Sequence, residues 1–155
     1  MVESSHLDER GRAWMVDVSA KPETQRAATA EGVVSLSPDA QKALFAGTLA
    51  KGDGLATVRI AAIGGAKRTA ELIPLCHPIP LASIVAEVEE VAGGARISVT
   101  VKSVGRTGVE MEAMTGVAVG AIALYDMVKS IDRSAEIGPI RLLAKSGGKS
   151  GDWSR

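Results

Sequence analysis

Apolar and polar residues alternate most regularly in the middle of the chain. Apolar side chains alternate with polar ones, mainly glutamates, from Leu81 to Val91, and with polar or basic residues from Ala95 to Val101. A period of two places successive side chains on opposite faces of a strand. Gly93 and Gly94 lie between the two runs and are a hairpin signal. The pattern therefore predicts a β-hairpin with one buried face.

Three other segments have helical signals. Ser37 is a candidate N-cap, and the proline that follows it suits the first turn of a short helix over residues 38–47. Asp53 is a candidate N-cap for a longer helix through residue 70. The third segment, residues 109–131, is apolar on nearly all sides, which predicts a helix that is buried all round.

Residues 13–19, 24–36 and 137–144 have the patterns of extended segments and are predicted to be strands. Without the first of these strands and the short helix, the element order is βαββαβ. That order is typical of the ferredoxin-like α+β fold, an antiparallel sheet with two helices on one face. We therefore expect this fold with an extra N-terminal strand and a short helix added to it.

Length and composition fit a single domain that associates with copies of itself. We expect residues 1–12 to form a flexible arm, residues 13–144 a single domain, and residues 145–155 a Gly- and Lys-rich tail. Apolar residues make up 46% of the 155 residues, but aromatic residues only 3%. Small apolar side chains each bury little area, so such a chain gains from covering more surface in an oligomer.

Charge and cysteine content exclude several classes of function. The 18 basic and 18 acidic residues give a formal net charge of zero, which disfavours nucleic acid or an anionic membrane as a partner. Cys76 is the single cysteine, so no intramolecular disulfide can form and a reducing compartment is expected. No uninterrupted apolar run reaches membrane-spanning length. We expect a cytoplasmic protein.

Three prolines stiffen the loop between Leu72 and Pro80, which presents Cys76 and His77 at its centre. A stiff loop suits a ligand contact. Residue type alone favours a small buried residue for Cys76 and leaves His77 equally open to a structural role. An adjacent Cys-His pair has poor spacing for one metal ion, and no second ligand pair exists, so no metal site is predicted.

Charged residues mark both ends of the long apolar helix. Glu110 and Glu112 point the same way if their segment is extended and diverge if it is helical, and acidic residues there also complement a helix dipole. Asp126 and Lys129 are three residues apart and share a face. Because the helix is otherwise apolar, we expect this pair to be partly buried, with the lysine pKa lowered toward a range useful for proton transfer.

The length of that helix constrains any reactive centre. Glu112 and Asp126 are separated by about 21 Å if both lie on one helix. One compact centre cannot easily use both groups from a single copy. Either one group is structural, or a site combines groups from two subunits.

Basic residues that suit a phosphate are scattered along the chain. Lys51 precedes a glycine-flanked helix N-terminus, where backbone amides favour anions. Lys145 and Lys149 lie in the glycine-rich tail, which can close over a phosphate. Arg26 and Lys67 are further candidates.

Seven stretches of the sequence together resemble one family, the cyclic pyranopterin monophosphate synthases, which are the C proteins of molybdenum cofactor biosynthesis. The matching stretches follow the family's order from about residue 6 to residue 151, and the most specific are residues 72–78 and 107–113. The other matching stretches are residues 15–21, 51–53, 66–69, 125–129 and 145–151.

The resemblance implies a lyase that converts 3′,8-cyclo-7,8-dihydroguanosine 5′-triphosphate to cyclic pyranopterin monophosphate and diphosphate. Its small-molecule partner is thus a phosphorylated, nucleotide-derived compound. The resemblance also implies a hexamer, a trimer of dimers with sites at the dimer interface. The chemistry requires proton transfer and triphosphate binding rather than redox steps, so no cofactor is expected, and Mg²⁺ bound with the triphosphate stays open.

The resemblance assigns roles residue by residue. The positions that match catalytic ones are Asp126, Lys129 and Lys51. The positions expected to contact substrate are Leu75, Cys76, His77, Met111, Glu112, Glu110, Lys67, Arg26, Asp17, Lys145 and Lys149. An alternative is a non-catalytic nucleotide-binding regulatory module of the same fold, which would need no proton-transfer pair.

Overall fold

The structure is a computed structural model that describes residues 7–8, 10–149 and 151–155. Its elements follow the predicted order closely. They are β1 (Thr24–Ser35), α1 (Pro38–Phe45), α2 (Gly54–Lys67), α3 (Thr69–Leu72), β2 (Leu81–Val91), β3 (Gly94–Gly105), α4 (Glu110–Val128), β4 (Glu136–Ser146) and β5 (Trp153–Ser154).

Within the described residues, the five strands form an antiparallel sheet in the order β2-β3-β1-β4-β5. β1 pairs with β3 along its full length, from Thr24 opposite Gly105 to Ser35 opposite Gly94. The helices α2 and α4 pack on each other and on the sheet. Strands β1 to β4 with α2 and α4 form the predicted ferredoxin-like α+β arrangement, so the fold class is confirmed.

The local signals at the element ends are also confirmed. The Ser37 hydroxyl accepts a hydrogen bond from the Ala40 N–H at 3.4 Å, at the start of α1. The Asp53 carboxylate accepts one from the Ala56 N–H at 2.9 Å, at the start of α2. At the β2–β3 hairpin, Gly93 has a φ of 74°, a conformation that favours glycine.

The structure differs from the prediction at one expected strand and at several element ends. Within the described residues the segment 13–19 forms no strand, and its backbone pairs only at Ala13, in an isolated bridge to Leu7. The long second helix ends at Lys67, and the four-residue α3 follows it. The tail is more ordered than expected, since β4 extends to Ser146 and β5 pairs with it. The predicted arm at 1–12 lies partly outside the described residues.

The core consists mainly of small aliphatic side chains from β1, β3, α2 and α4. Complete burial of α4 was expected and is wrong, because Ile122 on this helix is 61% exposed. Ile60 on α2 is also exposed, at 71%. By length and composition α4 could cross a membrane, with a mean hydropathy of 1.3, yet 56% of it is buried inside the fold. A core helix satisfies the same criterion.

Close contact between α2 and α4 depends on glycine. A Cβ added at Gly65 would lie 2.7 Å from the Cβ of Val119 and 3.2 Å from the Thr115 carbonyl oxygen. The neighbouring Gly64 has open space around the same position. The two glycines of α2 therefore differ in their physical role, since Gly65 permits helix contact and Gly64 only weakens the helix.

We expect Gly65→Ala to destabilise the fold by about 1–3 kcal/mol, because the added methyl overpacks the helix contact. Gly64→Ala should instead stabilise it by about 0.5–1 kcal/mol through helix propensity. Urea unfolding of both variants measures the difference. Equal effects at the two positions would contradict the proposed packing.

Candidate active site

The stiff loop after α3 holds His77 against the N-terminal segment. The His77 Nε2 lies 2.8 Å from the Val16 carbonyl oxygen, an acceptor, so this ring nitrogen donates. Asp17 is exposed and accepts the Ser19 N–H at 2.8 Å, which lowers the pKa of its carboxyl. Burial raises the pKa of the Cys76 thiol, and the nearby Glu112 charge adds to that shift. Cys76 is thus a neutral thiol at neutral pH.

The first turn of α4 places its two glutamates in different surroundings. Because this segment is helical, Glu110 and Glu112 diverge, which settles the alternative that the sequence left open. The Glu110 carboxylate lies 3.1 Å from the Lys145 Nζ. Glu112 is only 4% exposed, and burial raises the pKa of its carboxyl against the lowering effect of its own backbone N–H.

A cleft of about 840 Å³ lies between the start of β1, the β3–α4 loop and the end of β4. Its lining combines five basic side chains with the single carboxylate of Glu110. Such a cluster suits a multiply charged anion. The basic residues are Lys21, Arg26, Arg106, Lys145 and Lys149.

Glycines allow the chain to fold tightly around this cleft. Gly147 and Gly148 have φ values of 88° and 81°, and a Cβ on Gly148 would overlap the Arg26 guanidinium. A Cβ on Gly108 would overlap the Glu110 carboxylate. The constraint is firmest at Gly147, where a Cβ would overlap the Gln25 backbone carbonyl oxygen, so the tail can fold back against β1 only because this position lacks a side chain.

A second cavity of about 290 Å³ adjoins the cleft, since Lys21, Thr107, Gly108 and Glu110 line both. Its other walls include most of the residues predicted to contact substrate at this end: Leu75, Cys76, His77, Met111 and Glu112. The two cavities form one elongated site with a cationic end and a less charged end.

A separate Lys–Asp–Lys group lies at the C-terminal end of α4. The Lys51 Nζ lies 2.8 Å from Oδ2 of Asp126 and 2.6 Å from its carbonyl oxygen. The Lys129 Nζ lies 2.7 Å from Oδ1 of the same carboxylate. Hydrogen bonds from Lys129 and then Lys51 lower the pKa of Asp126 to about 2. Asp126 is therefore ionised between two cations.

The expected burial of Asp126 and Lys129 is wrong for the single chain. The side chains of Lys51, Asp126 and Lys129 are 38%, 54% and 51% exposed. The hydrogen bond to Asp126 raises the pKa of Lys129 instead of lowering it. Apolar neighbours along a helix do not bury a group that lies on the uncovered side of the helix end.

One chain does not bring the two ends together. Glu112 and Asp126 lie on the same helix, as the distance argument assumed, and are separated by about 21 Å along its axis. Lys67 lines neither the cleft nor the smaller cavity and is not part of the Lys–Asp–Lys group. It is exposed and lines grooves beside Ile63 and Leu72.

Several lining residues escaped the sequence-based prediction. Lys21, Thr24, Arg106 and Thr107 all line the cleft. The hydroxyl of Thr24 is buried and has no hydrogen-bond partner in the described ranges. Lys21 and Thr107 lie within the matching stretches, which was the available signal, whereas Arg106 and Thr24 enter the cleft through the β1–β3 pairing. No group of three or more His, Cys, Asp or Glu residues suited to a metal occurs among the residues described.

Fold and charges define the class of protein: an α+β domain with an anion cleft and separate acid–base groups. The sequence model of the MoaC family matches residues 15–148. The chain belongs to the MoaC family, as the resemblance predicted.

Curated relatives match the chain nearly end to end. A relative from Corynebacterium glutamicum (strain R) is 53% identical over 154 residues, which cover 99% of each chain. One from Thermomicrobium roseum is 54% identical and covers 100% of this chain and 95% of its own. One from Brucella ovis is 49% identical, with coverage of 97% and 92%. All three are named cyclic pyranopterin monophosphate synthase.

The raised pKa of Glu112 predicts how the stability of the fold changes with pH. The folded protein binds this proton more tightly than the unfolded chain, so stability falls as the pH rises above the ordinary value of 4.5. Glu112→Gln removes this dependence. We expect the variant to gain stability over the native protein at pH 7.5 and to lose that gain near pH 4.

Urea unfolding between pH 4 and pH 8 measures this difference. Glu136→Gln is the matched control, because it removes an exposed carboxylate at the start of β4, the end of that strand opposite Lys145, and should gain no stability at high pH. A pH-independent difference in unfolding free energy between Glu112→Gln and the native protein would contradict a raised pKa for the buried Glu112 carboxyl.

Proposed function

We propose that the chain is an active cyclic pyranopterin monophosphate synthase, acting on 3′,8-cyclo-7,8-dihydroguanosine 5′-triphosphate and releasing diphosphate. The observation that carries the proposal is the elongated site, in which a five-cation cleft adjoins a cavity with a buried carboxyl. One molecule that holds a triphosphate at one end and a heterocycle at the other fits that division. Membership of the MoaC family supplies the substrate.

The cationic cleft supports triphosphate binding and departure of diphosphate. Arg26 and Arg106 offer planar forks that match phosphate oxygens, and Lys145 and Lys149 add point charges. Positive charge there stabilises the negative charge that develops on a leaving diphosphate as the cyclic phosphate closes. The Glu110 carboxylate holds Lys145 in place without neutralising the remaining cations.

The smaller cavity supports binding of the heterocycle. Glu112 is the buried carboxyl there, and its raised pKa lets it take up or release a proton near the ring atoms that change. His77 is held through its Nε2, which leaves Nδ1 for other contacts. Cys76 and Met111 provide polarisable, largely apolar surface for the flat ring system.

The Lys51–Asp126–Lys129 group supports the proton transfers of ring opening and pyranopterin formation. An ionised Asp126 is a proton acceptor, and the two ammonium groups are proton donors and phosphate ligands. Burial of this group against a second subunit would exclude water and shift these pKa values from those in the single chain. Assembly would thus complete the chemistry.

We further propose a hexamer, a trimer of dimers with each site at a dimer interface. Glu112 and Asp126 are separated by about 21 Å along α4, which is 14 residues at about 1.5 Å each. This separation supports a shared site, because a second copy can place its Lys–Asp–Lys group beside the cleft. The exposed apolar side chains Ile60, Leu72 and Ile122 support a further contact between copies.

The enzyme we propose works in the cytoplasm and holds no resident cofactor. Its thiol, Cys76, is free and half-buried, as suits a reducing compartment. Mg²⁺ would enter with the triphosphate rather than through protein ligands.

Incubation with the cyclised GTP derivative tests the function, with diphosphate and the pterin product as readouts. Asp126→Asn should lower kcat by about 100- to 10,000-fold, as removal of a proton-transfer group does. Asp39→Asn, on α1, is the matched control and should keep full activity. Full turnover by Asp126→Asn would refute its catalytic role, and binding without diphosphate release by the native chain would favour the regulatory module.

Mixing of two inactive variants tests the shared site. Asp126→Asn impairs one end of each chain and Lys145→Glu the other. Co-expressed with different tags, they should recover about a quarter of native activity, because half of the dimers are mixed and each mixed dimer has one intact site. No recovery in purified mixed dimers would place the whole site within one subunit.

A further inference from the structure

The loop between β4 and β5 bounds the cationic cleft. Gly147, Gly148 and Lys149 line it directly, next to Lys145 at the end of β4. We call residues 147–149 and 151–152 the tail loop. Its position determines where Lys149 meets an anion, so whatever fixes this loop affects binding.

Backbone pairing holds the base of the tail loop. Lys145 pairs with Trp153, and Ala144 with Ser154. The Arg155 N–H also donates to the Leu143 carbonyl oxygen at 2.8 Å. These contacts bring the start and the end of the loop together, but they leave the two glycines beyond β4 outside the ladder.

Two hydrogen bonds order the loop itself. The Gly151 N–H donates to the Gly148 carbonyl oxygen at 3.1 Å. The Asp152 Oδ1 accepts the Gly147 N–H at 3.0 Å. Glycine has more conformational freedom than any other residue, so the chain around Gly147 and Gly148 is costly to order. The Asp152 side chain constrains it before any ligand binds.

The charge of Asp152 is unfavourable for this location. A carboxylate on a loop that bounds a cationic cleft repels the anion the cleft suits. Its hydrogen bond to Gly147 gives a reason for its presence that is independent of charge. The two effects act in opposite directions on anion affinity, which makes them separable by experiment.

We propose that Asp152 is a positioning residue, which orders the tail loop through the Gly147 N–H and so holds Lys149 at the cleft. The inference rests on the proposed use of this cleft for a triphosphate. It requires only the acceptor oxygen of Asp152 and not its charge.

Inorganic tripolyphosphate is the probe, with affinity measured by calorimetry at fixed ionic strength. Asp152→Ala should weaken binding about 3- to 10-fold, the effect of losing one ordering hydrogen bond. Asp152→Asn keeps an acceptor oxygen and loses the charge, so it should bind within about twofold of the native protein or more tightly. Asp39→Ala removes the same charge from α1, far from the cleft, and should change nothing.

Hydrogen exchange at the Gly147 amide reports the ordering directly and should accelerate in Asp152→Ala alone. Tighter binding by Asp152→Ala would mean that charge dominates and would overturn the proposal. Equal weakening in both variants, or no binding of tripolyphosphate by the native protein, would also overturn it. Tripolyphosphate binding without synthase turnover would refute only the proposed function.

Discussion

The structure depends on one rigid element, the helix α4, which packs against α2 and the sheet while holding charged groups at both ends. A helix does not shorten, so its length fixes the distance between the buried Glu112 and the ionised Asp126. Every other feature of the site follows from that separation. The cationic cleft and the smaller cavity lie at the N-terminal end of α4, and the Lys–Asp–Lys group lies at its C-terminal end. The fold thus holds two groups of charged side chains at opposite ends of one helix.

The local parts of the fold were predictable because local chemistry decides them. Ser37 and Asp53 cap helices through hydrogen bonds within three residues, and Gly93 turns a hairpin. The strand expected at 13–19 fails for a non-local reason. Val16 and Val18 line the small cavity, and no strand among the described residues pairs with the segment. A period of two indicates extended backbone, whereas a strand also needs a partner.

The site was predictable as a set of residue types and less so as an arrangement. The sequence identified four of the six charged side chains that line the cleft, namely Arg26, Glu110, Lys145 and Lys149. Arg106 and Thr24 were missed because they meet only when β1 pairs with β3 over twelve residues. The burial of Asp126 and Lys129 was misjudged because composition does not tell which side of a helix the rest of the chain covers. Their exposure is a property of the single chain.

The short strand β5 has a consequence for solubility. An uncovered edge strand offers unpaired backbone groups to any other chain, which is a common route to aggregation. β5 occupies part of the outer edge of β4, the same stretch whose inner edge pairs with β1 and whose Lys145 faces the cleft. Protection of the sheet and assembly of the anion cleft are therefore one structural event. Loosening of this segment would cost the protein substrate affinity and colloidal stability together.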